Sequence, residues 1–142
     1  MPTILLTKKF SFEMAHALDG YDGKCANLHG HSYHLEATVE GAPAGTDGIS
    51  LDFHAIKEIV QRTVVDRFDH ALVLHQGSTL ANEITHHSSL ITPNLLLLPF
   101  NPTTENLLLH FASLITPALP GGARLHSLRL SETDTSTAEL IL

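Results

Sequence analysis

Apolar and polar residues alternate along two segments near the start of the chain. In residues 3–16, one face of an extended strand carries the side chains of Phe10, Phe12, Met14 and His16. The alternation returns over residues 29–40, where one face carries His31, Tyr33, Leu35, Ala37 and Val39. Between them, residues 17–28 contain two glycines and two aspartates, a composition typical of a loop. The pattern predicts two neighbouring strands joined by an irregular connection.

Apolar residues spaced three or four positions apart predict two helices. Asp52 is a suitable N-cap for the first, over residues 53–67, whose apolar stripe consists of Phe53, Ile56, Val60 and Val64. The second opens at Pro102 and runs to about residue 116, with an apolar stripe of Leu108, Phe111, Leu114 and Ile115. Each helix is expected to bury its stripe.

The remaining apolar runs are short and complete the expected fold. A strand is predicted near residues 70–75, and after a polar stretch another apolar run covers 95–100. Two final strands, 123–131 and 136–142, flank a turn rich in Thr, Asp and Ser. This order indicates one α+β domain over residues 1–142, with a four-stranded antiparallel sheet and two helices on one face. Because such a sheet leaves two edges exposed, we expect pairing of edges between subunits.

Composition and charge narrow the function classes. The chain has 142 residues, 43% of them hydrophobic, a formal net charge of −7 and no basic run, so we expect no nucleic-acid partner. Its longest strongly apolar stretch, residues 95–100, is too short to span a bilayer, and the first residues lack the order of a signal peptide; we expect no membrane partner. The single cysteine excludes an intrachain disulfide and fits a reducing compartment, the cytoplasm.

Histidine is the most unusual feature of the composition, with eleven in the chain. His29 and His31 are separated by one residue, so both side chains project to the same face of an extended strand. His16 ends the neighbouring predicted strand. Three neutral imidazoles that leave one coordination position open are typical of catalytic zinc sites. The alternative is that these are ordinary structural or interface histidines, which their spacing does not exclude.

Other polar residues suit proton transfer or the binding of a heterocycle. Cys25 lies in the loop that leads to the histidine pair, where it is either a base or a small buried side chain. Asp69 and His70 are adjacent where a helix gives way to a strand, and they can act together only if the backbone is irregular there. Glu105 and Glu132 could bind a heterocycle, although on its own each also fits a solvated surface charge.

Six short motifs occur in a fixed order from residue 9 to about residue 135. They are Phe12-Glu13-Met14-Ala15-His16, Cys25-Ala26-Asn27-Leu28-His29-Gly30-His31, Leu51-Asp52-Phe53, Phe68-Asp69-His70, Pro102-Thr103-Thr104-Glu105-Asn106 and Ser131-Glu132-Thr133. Together they resemble the family of 6-pyruvoyl-tetrahydropterin and 6-carboxy-tetrahydropterin synthases. Agreement of six motifs in register is far more specific than any one of them.

The resemblance implies a fold, a cofactor and roles for these residues. The implied fold is the tunnelling fold, in which subunits join their sheets into a barrel, giving a homo-oligomer (a trimer or dimer of trimers) with sites between subunits. Zn²⁺ would be held by His16, His29 and His31. Cys25 would be the proton-abstracting base, reached from a neighbouring subunit by Asp69 and His70. Glu132 would anchor the pterin ring, and the pocket would be lined by Thr103, Thr104 and Glu105.

The substrate that the resemblance implies is 7,8-dihydroneopterin triphosphate. The short spacing from Cys25 to His29 resembles the lyase branch that makes 6-carboxy-5,6,7,8-tetrahydropterin, acetaldehyde and triphosphate, an early step towards queuosine and other 7-deazapurines. The alternatives are the triphosphate-eliminating pyruvoyl branch and a non-catalytic zinc- or pterin-binding member of the same fold. Residues 76–98 are longer than in compact members, and His86-His87 within them suggest a polar loop more than a second metal site.

Overall fold

A single mixed sheet organises the molecule. The structure, a computed structural model, describes residues 2–87 and 94–142. In these residues the strands follow the order β4-β3-β1-β2-β5-β6 across the sheet. Their bounds are Ile4–His16 for β1, His29–Gly41 for β2, Ala71–His75 for β3, Leu95–Leu98 for β4, Arg124–Thr133 for β5 and Ser136–Ile141 for β6.

The helices begin at side-chain caps that the sequence supplies. Their bounds are Phe53–Val60 for α1, Asp66–Phe68 for α2, Thr79–His86 for α3 and Thr104–Ile115 for α4. A π-helical turn joins α1 to α2, so the helical segment continues to residue 68, close to the predicted end at 67. A side-chain oxygen of Asp52, Ser78 or Thr103 accepts a hydrogen bond from the third backbone N–H after it, at the start of α1, α3 and α4 respectively.

The main core lies between the sheet and the helices α1 and α4. The predicted alternation on β1 and β2 is confirmed, because Phe12 and Tyr33 both face this core and stack with ring centroids 5.3 Å apart. Phe111 of α4 meets the ring of Phe12 edge-on at 6.2 Å and that of Phe68 at 4.9 Å. Aromatic packing of this kind contributes both buried area and a fixed geometry. It holds α4 against the half of the sheet that carries the histidines.

The prediction of a four-stranded antiparallel sheet is only partly right. Strands β1, β2, β5 and β6 form the expected antiparallel part, but β3 and β4 extend the sheet in parallel. β3 pairs with β1 only at residues 14–16. The two added strands are five and four residues long. A short apolar run carries no alternation that reveals its direction or its partner, so the sequence did not indicate this extension.

Helix α3 lies in the stretch that the sequence pattern assigned to a polar loop. Its buried side chains, Ala81 and Ile84, pack with Ala17 and Leu74 in a second small core. Leu74 follows Val73, which faces the main core, and successive side chains of a strand point to opposite faces. α3 therefore covers the other face of the sheet, and the expectation of helices on one face is wrong for this helix.

Some smaller expectations also change. Phe53 is 50% exposed instead of buried, because it is the first residue of α1 and precedes the turn that packs on the sheet.

His86 ends α3 and His87 follows it; within the described part of the chain they belong to no group of three potential metal ligands. Residues 88–93 of the long stretch lie outside the described residues. Each described helix is too short or too polar to span a bilayer.

The antiparallel part of the sheet keeps two open edges in the described structure. Within residues 2–87 and 94–142, β6 pairs only with β5, and residues 4–12 of β1 pair only with β2. Large apolar side chains are exposed on these same two strands, namely Ile4, Leu5 and Ile141. Unpaired backbone groups flanked by exposed apolar side chains favour the addition of another strand.

Candidate functional site

Three histidines converge at the end of the two central strands. β1 and β2 are antiparallel, with His16 opposite His29 and Met14 opposite His31, so all three imidazoles project to the core face of the sheet. Each offers a ring nitrogen, and these atoms all lie within 4.8 Å of one another. The Nε2 atoms of His16 and His29 are 3.0 Å apart. The structure therefore brings together the predicted ligand set.

The tautomers of two of these histidines are fixed by backbone carbonyls. His16 Nδ1 lies 2.8 Å from the carbonyl oxygen of Pro102, and His29 Nδ1 lies 2.6 Å from that of Asn27. A carbonyl oxygen can only accept, so each Nδ1 carries the proton and each Nε2 presents a lone pair. Carbonyl partners of this kind are usual behind histidines that bind metals.

Burial and a missing partner make the cluster suitable for a cation. Burial lowers the pKa of His16, which favours the neutral imidazole that a metal requires. His31 Nε2 is buried and has no hydrogen-bond partner within the described residues. Two lone pairs facing each other and a buried unpaired nitrogen are unfavourable unless a positive charge lies among them. The residues present therefore fit a metal ion bound by three histidines.

Two polar side chains of the sheet border this cluster. Glu132 of β5 places Oε1 3.9 Å from Nε2 of His16, and a quarter of its side chain is exposed. Tyr33 is fully buried, with its hydroxyl 3.4 Å from Nδ1 of His16. Burial, with smaller effects of Glu132 and Cys25, raises the pKa of Tyr33, so its hydroxyl stays protonated. Sequence reasoning placed Tyr33 on the right face but did not include it in the site.

Cys25 lies in a short 3-10 turn, Lys24–Ala26, of the loop between β1 and β2. Its side chain is half-buried, and its charge would influence the hydroxyl of Tyr33. Its carbonyl oxygen accepts a hydrogen bond from N of Leu18 at 3.0 Å, which closes the base of the loop. The single cysteine of the chain is thus half-buried and within electrostatic reach of Tyr33, whose hydroxyl borders the histidine cluster.

The start of α4 lies behind His16. Pro102 supplies the carbonyl that holds His16 Nδ1, and Thr103 follows as the N-cap, its hydroxyl accepting from N of Asn106 at 3.2 Å. Thr104 is half-buried, and Glu105 is exposed in the first helical turn. The Thr103 hydroxyl is therefore engaged in capping, and no sequence signal pointed to the Pro102 carbonyl, because any residue type can supply it.

Asp69 and His70 form a hydrogen-bonded pair at the edge of β1. Asp69 Oδ1 accepts from N of Glu13 at 2.9 Å and lies 3.0 Å from Nδ1 of His70. His70 N in turn donates to the carbonyl oxygen of Glu13. His70 has a φ of 62°, a left-handed backbone that is rare for a non-glycine residue. This is the irregularity that the pair was expected to need.

The pair is open to solvent and is not bonded to the histidine cluster in the described structure. The side chains of His70 and Asp69 are 72% and 39% exposed. The Glu13 N–H, more than the neighbouring imidazole, lowers the pKa of Asp69. In the described structure no hydrogen bond or ion pair joins the pair to the three histidines. His70 borders a cleft of about 350 Å³ that is also lined by Glu13, Gly30, Ser32 and His31 of the cluster.

Fold and site together define a class of protein: an α+β domain with a candidate three-histidine metal site at the ends of its two central strands. The chain belongs to the 6-pyruvoyl tetrahydropterin synthase family, whose model matches residues 5–141. The resemblance that the six motifs indicated is therefore confirmed.

Relatives of this chain carry two related names. It is 35% identical over 137 residues to the 6-carboxy-5,6,7,8-tetrahydropterin synthase of Haemophilus influenzae, a match that covers 94% of this chain and 96% of that protein. It is 36% identical over 103 residues to the protein of the same name from Rickettsia bellii, 72% of each. The 6-pyruvoyl tetrahydropterin synthase of Caenorhabditis elegans has a similar structure, with a TM-score of 0.72, 20% identity and coverage of 100% of this chain and 97% of that one. At this identity the structural likeness shows the fold alone.

Proposed function

We propose that this protein is a zinc-dependent lyase that converts 7,8-dihydroneopterin triphosphate and water to 6-carboxy-5,6,7,8-tetrahydropterin, acetaldehyde and triphosphate, on the route to queuosine and other 7-deazapurines. The observation that carries the proposal is the convergence of His16, His29 and His31 beside Glu132 and the Cys25 loop. The name of the Haemophilus influenzae relative, matched over nearly its whole length, supports the choice of product.

The three histidines would hold Zn²⁺ through their Nε2 atoms. Bound there, the ion would act as a Lewis acid towards the side-chain oxygens of the substrate. The protein's own contribution is twofold: burial favours the neutral form of His16, and the carbonyls of Pro102 and Asn27 orient the imidazoles of His16 and His29. A proton on either Nε2 would remove a ligand, and these carbonyls keep it on Nδ1.

The remaining residues would bind the ring and move protons. The Glu132 carboxylate accepts hydrogen bonds only, which suits the amino and ring N–H groups of a pterin. Cys25 would remove a carbon-bound proton from the bound substrate, because its half-buried thiol is in the loop that leads directly to His29. Asp69 would orient His70 through the 3.0 Å contact, so that the imidazole can take up and return a proton. The half-buried Thr103 and Thr104, together with Glu105, would line the pocket near the start of α4.

We further infer that the active site is completed by a second copy of the chain. Asp69 and His70 lie on the edge of β1, next to residues 4–12, which have no strand neighbour on that side in the described structure. A copy that adds its β6 to this edge would come alongside the pair. Because the exposed pair makes no hydrogen bond or ion pair with its own histidine cluster within the described residues, a neighbouring cluster is the candidate for its partner. This supports a homo-oligomeric barrel built as a trimer or a dimer of trimers.

Complementation between two inactive variants tests the shared site. Cys25→Ser and Asp69→Asn should each be inactive alone, but oligomers assembled from equal amounts of both should regain about a quarter of wild-type turnover, because random mixing leaves that share of sites with both residues intact. Reassembly is followed by light scattering, and mixing Cys25→Ser with Cys25→Ala is the control. No recovery in mixed oligomers of proven composition contradicts a site shared between subunits.

The product distinguishes the proposed function from its nearest alternative. Incubation with 7,8-dihydroneopterin triphosphate should release acetaldehyde and triphosphate in equal amounts and leave the carboxy-pterin, measured by an aldehyde assay and by mass spectrometry of the pterin. The pyruvoyl compound without acetaldehyde would instead assign the activity named for the Caenorhabditis elegans neighbour. Binding of zinc and pterin without turnover would instead identify a binding protein. Such a protein needs no base, so the presence of the Cys25 thiol favours an enzyme.

A further inference from the structure

Within the described residues, Asp19 makes the hydrogen bonds that join the loop carrying Cys25 to the segment before α4, while Ala17 at the start of the loop packs in the second small core. Residues 17–28 connect β1 to β2, and the backbone of Asp19 faces the segment that precedes α4. Asp19 N donates to Oδ1 of Asn101 at 2.8 Å, and Nδ2 of Asn101 donates back to the carbonyl oxygen of Asp19 at 2.6 Å. This reciprocal pair uses one donor and one acceptor on each side, as two paired strands do. Among the ordinary side chains of this length, only that of asparagine offers both groups in this geometry.

Asn101 is itself fixed at its backbone. Its carbonyl oxygen accepts from N of Thr103 at 2.8 Å and from Nδ2 of Asn106 at 3.0 Å. The next residue, Pro102, gives its carbonyl to Nδ1 of His16. Two consecutive residues therefore hold the two halves of the candidate site: Asn101 holds the Cys25 loop, and Pro102 holds a histidine of the cluster.

A weaker contact supports the same arrangement. Asp19 Oδ2 lies 3.5 Å from Nδ1 of His75 at the end of β3, and both side chains are partly exposed. An ion pair in such a position is screened by solvent and contributes little. The hydrogen bonds of Asn101 are shorter, and the backbone of Asn101 is itself held, so they fix the position of the loop more firmly than this ion pair does.

We propose that Asn101 is a positioning residue that sets the distance between the Cys25 thiol and the histidine cluster. The catalytic part of this inference rests on the proposed role of Cys25, whereas the structural part does not. If Asn101 fixes the loop, then its loss should release Cys25 while leaving the three histidines in place. The expected consequence is a more mobile, more accessible thiol and a slower chemical step at unchanged metal content.

Alkylation measures the position of this thiol directly, because Cys25 is the single cysteine of the chain. Iodoacetamide at fixed pH should modify the metal-loaded Asn101→Ala variant about tenfold faster than the wild type, as expected when hydrogen bonds that limit local opening are lost. Asn101→Ser, which can keep at most one of the two bonds, should fall between them. Asn82→Ala is the matched control, since the exposed side chain of Asn82 makes no hydrogen bond in the described structure and its removal should change nothing.

Kinetics separate positioning from general support of the fold. In Asn101→Ala, kcat should fall about tenfold or more while KM stays within about twofold, because substrate binding is retained and the reacting groups are misplaced. A merely structural residue would lower the melting temperature and leave both the alkylation rate and kcat unchanged well below melting. If folded, metal-loaded Asn101→Ala is alkylated at the wild-type rate and keeps the wild-type kcat, the proposal is wrong. If the alanine variant does not fold, the same two results in Asn101→Ser contradict the proposal.

The same measurements keep this inference separate from the proposed function. If Cys25→Ser remained active, Cys25 would not be the base, and the proposed mechanism would fail. The graded alkylation rates of the Asn101 series would still establish how the loop is held. Conversely, unchanged alkylation in that series with an inactive Cys25→Ser would leave the mechanism intact and remove the role of Asn101.

Discussion

Replacement of His29 by alanine should remove the bound zinc and abolish turnover together. His29 contributes one of three nitrogens that lie within 4.8 Å of one another, and its Nδ1 is already committed to the carbonyl of Asn27. The two remaining imidazoles cannot replace it, because catalytic zinc sites use three protein ligands and an open position. We expect metal analysis to show nearly empty protein and turnover to fall by about a hundredfold or more, beyond the loss typical of a changed supporting residue.

Thermal stability gives a second measurement of the same site. An ion that binds only the folded state raises stability by an amount that grows with its concentration over Kd, so zinc should raise the melting temperature of the wild type and not that of His29→Ala. His34→Ala is the matched control: it lies on the same strand, is exposed, and is not in the cluster. Full zinc occupancy and a normal zinc response in His29→Ala contradict the assignment of the metal ligands.

The histidine cluster could be predicted from the sequence because it depends on strand periodicity alone. His29 and His31 are two residues apart, and His16 shares the parity of Phe12 and Met14 along β1. Once the two strands pair, these parities place all three imidazoles on one face. The same rule applied to Tyr33 would have added its hydroxyl to the site, since it continues the row of His29 and His31.

Contacts made by the backbone could not be predicted in this way. The carbonyl of Pro102 reaches His16 across 86 residues of sequence, and the amide of Asn101 reaches Asp19 across 82. Neither contact depends on a periodic pattern; both depend on where the segment before α4 runs relative to β1. That path is set by tertiary packing, including the contacts of Phe111 with Phe12 and Phe68. Proline at 102 fixes the start of a helix but carries no sign that its carbonyl is used.

The parallel extension of the sheet and helix α3 were missed for a related reason. β3 and β4 are short apolar runs, and their parallel partners lie far away in sequence, so no local signal showed which edge they join. α3 has only two buried side chains, Ala81 and Ile84, too few to make a clear helical stripe. What marks its start is the cap at Ser78, which was available in the sequence.

The pair of Asp69 and His70 shows how a local irregularity can carry function. In a regular strand the two side chains would point to opposite faces, yet the φ of 62° at His70 lets both lie on the same side, 3.0 Å apart. His70 N donates to the carbonyl oxygen of Glu13, and Glu13 N donates to the Asp69 carboxylate, so both residues of the pair are held against β1. The sequence indicated that the pair needs an irregular backbone, and the structure shows that the backbone at His70 is irregular.

Replacement of Cys25 by serine should leave the fold and the metal site intact and still abolish turnover. The contact that closes the loop is made by the Cys25 carbonyl, which serine keeps, and none of the three histidines depends on the thiol for its hydrogen bond. Zinc content and melting temperature should therefore stay near those of the wild type. A serine hydroxyl gives up its proton far less readily than a thiol, so turnover should fall by about a hundredfold to ten-thousandfold, the usual contribution of a positioned base.

Steady-state turnover, metal content and melting temperature are measured on the same preparation, with Cys25→Ala as the variant that has no proton to transfer. Equal, large losses in both variants with zinc retained are expected, whereas activity within about tenfold of the wild type in Cys25→Ser would assign the base to another group.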